Sequence, residues 1–170
     1  LGSHDGGSSA ILTFAILAVW AVGFVACLAR VYAGWRAVRG CLASGEVPTR
    51  GRELAVLRRL DCGESVGLVL SSGAFEPGVV GVRRPVLVWP SLLSARMSDD
   101  EIAAVMAHEL EHVRRHDNLA GLGGMFVWCV FWFYPVVWWL GTRLLAERER
   151  ACDEAVIERQ SAQVYAESIL

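Results

Sequence analysis

Lysine is absent from this chain of 170 residues, so all 16 basic side chains are arginine. Such a bias follows from the nucleotide composition of a gene, and no function is attached to it. There is also no Cys-x-x-Cys pair among Cys27, Cys41, Cys62, Cys129 and Cys152, and their number is odd. A disulfide framework and a zinc ribbon are thereby excluded. Cys27 and Cys129 stand in apolar runs and read as buried thiols in a reducing compartment. Net charge is small, at −2. Direct binding to nucleic acid therefore has no electrostatic support. Internal repeats are missing too, and only the first nine residues are rich in Gly and Ser.

What remains is strongly apolar. Hydrophobic residues make up 54% of the chain, which points to a lipid bilayer as one partner. Ala10 to Ala29 carries no charge and is long enough to span a hydrocarbon core. It is too long for the apolar core of a typical signal peptide, and its basic residues follow instead of preceding. Arg30, Arg36 and Arg39 come after it, whereas His4 and Asp5 come before. Positive charge stays cytoplasmic, so the N-terminus is expected outside and everything after Arg30 inside. Leu1 and a helical pattern still running at Leu170 suggest a piece of a longer protein.

The chemistry is concentrated in His108-Glu109-Leu110-Glu111-His112. Positions four apart share a helix face, so both imidazoles can reach one metal ion. Glu109 sits at the edge of that face, within reach of a water on the metal. This is the zinc metalloprotease pattern. A polar helix could match by accident, but three fixed positions of uncommon residue types make that rare. The context is helical as well. Ser98 and Glu101 have capping-box spacing, and Asp99, Asp100 and Glu101 suit the positive helix end. Ile102, Val105, Met106, Leu110 and Val113 recur at helical intervals, predicting one helix from about 99 to 118.

A catalytic zinc site needs a third protein ligand and an open position. His116 continues the series but lies about 12 Å along a straight helix from His108, too far to share an ion. It reads as a surface or supporting residue. The longer pattern with a third His also fails, since Asn118 and Arg115 stand at its required positions. A better source is the helical stretch Glu147-Arg148-Glu149-Arg150-Ala151-Cys152-Asp153-Glu154. Glu149 and Asp153 share a face there. One carboxylate can complete the ligand set and a second can orient a ligating His. Spacing alone leaves Glu147, Glu149, Glu154 and Glu158 open; without the histidines this would read as a solvated charged helix.

The segment from Leu119 to Leu145 is apolar and carries Trp128, Trp132, Trp138 and Trp139. By length it could be a second spanning helix. A shared ion forbids that, because about 36 residues cannot cross twice and return. Pro135 marks the break. The expectation is a helical hairpin, with one arm from about 119 to 134 and a return arm leading into the ligand helix. It would dip into the membrane face without crossing. Trp and Tyr favour the headgroup zone, which suggests a shallow insertion.

Between anchor and motif, Gly34 to Arg52 reads as a connector and Glu53 to Leu60 as a short amphipathic helix. Val66 to Leu70 and Val79 to Trp89 suggest a small antiparallel sheet, with Pro85 suited to an edge. An edge strand could accept an extended peptide, or the strands could simply buttress the helix. The division is 1–9 outside, 10–30 transmembrane helix, 31–52 juxtamembrane connector, 53–118 sheet and active-site helix, 119–146 membrane-associated hairpin, and 147–170 ligand helix. The fold class is α+β, mainly helical: a membrane-anchored zincin-like domain.

These residues resemble the membrane-embedded antirepressor metallopeptidases, the zinc-protease part of the β-lactam-sensing BlaR/MecR transducers. More distantly the chain is similar to HtpX and the CAAX prenyl endopeptidases. The resemblance covers about residues 50 to 170. It rests on Arg84-Pro85-Val86-Leu87-Val88-Trp89-Pro90, on His108 to His112 with Arg114, Arg115 and Asp117, on the tryptophan-rich hairpin, and on Glu147 to Val156. It implies a gluzincin in which Zn²⁺ is held by His108, His112 and Glu149, with Glu109 as general base. It further implies that Asp153 closes a Glu-x-x-x-Asp motif and that Asp117 belongs to the extended His motif. The implied substrate is a cytoplasmic protein, such as a DNA-binding transcriptional repressor, cut at the cell membrane during signal transduction. A penicillin-binding sensor with its Ser-x-x-Lys does not carry over. The competing class is a membrane-anchored signalling or scaffold module with a non-catalytic metal site.

Overall fold

The computed structural model describes residues 5–60, 66–73 and 76–167. Cys62, part of the free-thiol expectation, lies outside the described residues, as does His4 of the charge-asymmetry argument. Among the described residues the elements are, in order, α1 (Asp5–Ser44), α2 (Arg52–Leu60), β1 (Gly67–Ser71), β2 (Gly78–Val80), β3 (Val86–Pro90), a 3₁₀ turn (Ser94–Arg96), α3 (Asp99–Arg114), α4 (Asp117–Val130) and α5 (Pro135–Glu167). The architecture is α+β and mainly helical.

Helix α1 is long and apolar enough to cross a membrane. Its side chains stand almost bare, with Phe14 at 72% and Val22 at 71% exposure. The helix does not stop near Arg30; it runs on through Gly34 and Gly40 to Ser44. Most of the expected connector is therefore helical, and only the stretch after Ser44 departs from it. An isolated Gly weakens a helix without ending it.

The sheet has the order β1-β3-β2. β3 pairs antiparallel with β2 but parallel with β1. The expected all-antiparallel sheet is thus corrected to a mixed one. The sequence of β1, Gly-Leu-Val-Leu-Ser, is a continuous apolar run instead of an alternating one. Such runs belong to strands covered on both faces, the habit of parallel pairs. What looked like one interrupted strand, Val79 to Trp89, is the β2–β3 hairpin, turned by Gly81 at φ +94°. Pro85 lies at no edge. It precedes the central strand, and its carbonyl accepts from Gly67 N at 3.0 Å.

One apolar core joins these pieces. Val56 and Leu57 of α2, Leu68, Leu87 and Trp89 of the sheet, and Ile102, Met106 and Leu110 of α3 are buried together. The Trp89 indole is satisfied by Ser94 Oγ at 2.9 Å. Arg52 ties α2 to the entry of α3 through Asp99 at 2.6 Å and the Met97 carbonyl at 2.8 Å. The capping box is present: Ser98 accepts from the Glu101 amide, and Glu101 accepts from the Ser98 amide at 2.7 Å.

Helix α3 ends at Arg114, short of the expected 118. His116 adopts a left-handed conformation, φ 56°, and α4 starts on the next residue. The hairpin itself has the expected form, with α4 and α5 joined by Phe131–Tyr134. Pro135 opens α5, where its missing N–H costs nothing. No break separates the return arm from the ligand helix; α5 is one helix of 33 residues.

Replacing Ser98 with alanine should destabilise the protein by about 1 kcal/mol through loss of the cap. Urea unfolding in detergent, compared with the parent, measures this.

Candidate metal centre

The helical spacing of α3 puts the His108 and His112 rings side by side, centroids 5.0 Å apart and nearly perpendicular. Helix α5 crosses this face and delivers Glu149. Its Oε2 lies 3.4 Å from His108 Nε2 and 3.8 Å from His112 Nε2. The three donor atoms all fall within 4.8 Å of one another. A tetrahedron with bonds of about 2.1 Å has edges of about 3.4 Å, so the spacing fits an ion at its centre.

The opposite ring nitrogens are also held. His108 Nδ1 lies 3.1 Å from Asp153 Oδ1, and His112 Nδ1 lies 2.7 Å from Asp117 Oδ2. A carboxylate oxygen thus stands behind each Nδ1, while both Nε2 atoms face Glu149. A carboxylate behind a ligating His fixes its tautomer and raises its basicity. The donor set of two nitrogens and one oxygen, with Glu149 half exposed on one side, suits a metal that keeps an open position.

Asp117 reaches His112 only because the chain turns sharply. Residues five apart do not share a helix face. The left-handed His116 reverses the chain and brings Asp117 back under the ring. Burial pushes the Asp117 carboxyl upward, but the His112 hydrogen bond and the charges of Arg148 and Arg115 outweigh it. The group is held below the ordinary Asp value, hence ionised. Arg148 Nε is 3.4 Å from Asp117 Oδ1 and Arg115 Nε is 3.8 Å from Oδ2.

Glu109 sits beside this cluster. Burial raises its pKa, opposed by the two histidines and by the Val79 amide, which donates to it. The outer edge of β2 is therefore engaged with α3. Asn118 Nδ2 also donates to the carbonyls of Val79 at 3.1 Å and Gly81 at 2.9 Å. The far edge of the sheet is bridged by Glu46 to Leu70. A peptide adding to β2 at Val79 would have to displace Asn118. These contacts favour the buttressing role of the strands.

Of the carboxylates left open by spacing, Glu149 is the one at the histidines, while Glu147 pairs with Arg150 at 3.0 Å. His116 is exposed and lies away from the donor atoms. The sequence pattern does not single out Cys152, which is fully buried with its Sγ 3.2 Å from His112 Nδ1 and 3.8 Å from Asp117 Oδ2. Burial, reinforced by Asp117, pushes this thiol up to about 11. It is a neutral packing group at neutral pH. Its place on the face between Glu149 and Asp153 was the available signal. The described cysteines are free, with Cys129 and Cys152 buried and Cys27 and Cys41 partly so.

Residues 5–170 match the family described as BlaR1 peptidase M56, and the chain belongs to that family. It is similar to regulatory protein BlaR1 of Bacillus licheniformis, 31% identical over 163 residues, which is 92% of this chain and 26% of the relative. It is also similar to the methicillin resistance mecR1 proteins of Staphylococcus aureus and Staphylococcus epidermidis, 27% identical over 165 residues, or 94% of this chain and 28% of theirs. The chain therefore spans about a quarter of the length of these curated relatives.

The turn at His116 makes its own demand. His116→Gly should relieve about 1 kcal/mol of left-handed strain, whereas the β-branched His116→Val should add at least as much again. Thermal unfolding of the pair against the parent gives the sign of each change.

Proposed function

We propose that this chain is the catalytic part of a membrane-anchored zinc endopeptidase that cuts a cytoplasmic protein. The observation carrying this reading is the convergence of His108 Nε2, His112 Nε2 and Glu149 Oε2, each imidazole backed by its own carboxylate. In this reading His108, His112 and Glu149 hold Zn²⁺, and Asp153 and Asp117 orient the rings. A zinc ion bound there supplies Lewis acidity for the scissile carbonyl and lowers the pKa of water towards neutrality.

The chain's own groups do the rest. Glu109 accepts a proton from the attacking water and returns it to the leaving amine nitrogen. Its partly buried setting favours a carboxylate that takes up protons more readily than an exposed one. Glu149 and Asp153 leave one side of the site open to solvent, which is where an extended peptide can approach.

Helix α1 crosses the membrane in this reading, with Arg30, Arg36 and Arg39 on the cytoplasmic side together with the metal site. Residues 1–9 lie outside. The names of the similar proteins, a regulatory protein and methicillin resistance proteins, support placing the cleavage in a signalling pathway. A DNA-binding repressor is the substrate we assign, since its destruction would release transcription.

Two measurements test the assignment on the full-length protein in detergent. Glu109→Ala should keep about one zinc per chain by atomic absorption while cleavage of a purified DNA-binding repressor, supplied as the substrate, falls about 10²- to 10⁴-fold. Cleavage unchanged in that variant would sink the assigned base. Asp117→Asn should weaken zinc affinity about 10- to 100-fold in chelator competition.

A further inference from the structure

The hairpin turn is bound to α1 by a reciprocal pair of tryptophans. Trp20 of α1 donates its indole N–H to the Val130 carbonyl at 3.0 Å, at the end of α4. Trp132 in the turn donates to the Trp20 carbonyl at 3.2 Å. A third indole, Trp138 of α5, donates to the Trp132 carbonyl at 2.8 Å. Gly23 makes room for this: a Cβ there would fall inside the Trp132 ring. The turn's own amides take the Val127 and Phe131 carbonyls, each at 2.9 Å.

The depth of Trp20 gives these contacts their meaning. It stands midway along the uncharged run from Ala10 to Ala29, about 15 Å from either end. That is half of a hydrocarbon core of about 30 Å. The turn attached to it must lie at the same level. Other lengths agree. Helix α4 has 14 residues, about 21 Å from Asp117 to the turn. On α5 the first charge, Arg143, comes about 12 Å beyond Pro135, and its guanidinium lies over the Trp139 ring at 5.6 Å. Neither arm is long enough to cross the whole core; the uncharged part of α5 stays within one leaflet of about 15 Å and α4 reaches a little past it to the headgroups. Around the turn, Phe126 is 66% and Phe133 56% exposed, continuous in depth with the bare apolar side chains of α1.

We propose that α4 and α5 form a re-entrant hairpin traversing a single leaflet, with its turn at the bilayer centre and its bare face covered by lipid acyl chains. The indoles of Trp20 and Trp138 satisfy the Val130 and Trp132 carbonyls that the turn exposes, and the Trp132 indole is itself satisfied on the Trp20 carbonyl of α1, since hydrocarbon offers no partner. The inference rests on the reading that α1 crosses the membrane. It replaces the shallow headgroup insertion that tryptophan content suggests, because these indoles donate to backbone instead of to lipid headgroups.

Nitroxide depth measurement on the full-length protein in phosphatidylcholine–phosphatidylglycerol liposomes tests this. Labels replace Val22, Phe133 or Leu144 one at a time, in a background with Cys27, Cys41 and Cys62 changed to serine. Collision rates with oxygen and a water-soluble nickel complex give the depth. The expected result is one shared depth at the bilayer centre for Val22 and Phe133, with Leu144 near the headgroups. Phe133 at headgroup depth on either side, with Val22 central, would overturn the hairpin proposal alone. Val22 in contact with water would remove the membrane-crossing reading beneath it. Trp20→Phe and Trp132→Phe should each move the Phe133 label towards the interface, while Trp139→Phe leaves it in place. Unmoved labels in both would overturn the indole role. If those variants do not fold, the Phe133 depth in the unaltered tryptophan background decides.

Discussion

Everything in this fold that bears on chemistry depends on how two imidazole rings are pinned from behind. Asp117 and Asp153 take the Nδ1 sides of His112 and His108, so that both Nε2 atoms face Glu149. A ring free to flip would present donor or acceptor at random, and convergence on one point would be lost. Pinning needs carboxylates arriving from two directions. One comes from the chain reversal at His116, the other from α5 after it has travelled out through the hairpin and back. The local turn and the long excursion serve the same pair of rings.

The hairpin follows from that requirement joined to a second one. Helix α5 must bring Glu149 back to the face of α3 from which α4 departed. If the excursion enters lipid, it must turn there, and turning exposes carbonyls. Indole is well suited to cover them, having one donor on a large apolar body. The small residue Gly23 lets α1 approach closely enough to share in the task. Close approach through small residues is the usual route to helix association in lipid.

Much of this was legible in the sequence. The histidine spacing, the capping box at Ser98 and the break at Pro135 each carry a local physical cause, and each appears where that cause puts it. The reversal at His116 was not legible, because a non-glycine residue at positive φ leaves no compositional trace. Hence the apolar spacing predicts α3 about four residues too long, and Asp117 is implied only by the family resemblance. The parallel pairing of β1 was obscured for another reason. Its signal is the lack of alternation, which looks like a weak strand rather than one covered on both faces. Cys152 was hidden by its neighbours, since a charged stretch draws the eye to its carboxylates. The spacing of carboxylates could narrow the third position to a helix but not to a residue. Only the crossing of α5 over α3 separates Glu149 from Glu147.

The unbroken course of α5 couples two places that loops would have insulated. One continuous helix runs from the hairpin tip at Pro135 to Glu149, about 21 Å away. Tilting it by about 5° around its tip would carry the carboxylate sideways by about 2 Å, a full coordination bond length. If the hairpin sits in lipid as proposed, bilayer thickness and the geometry at Glu149 become mechanically one variable.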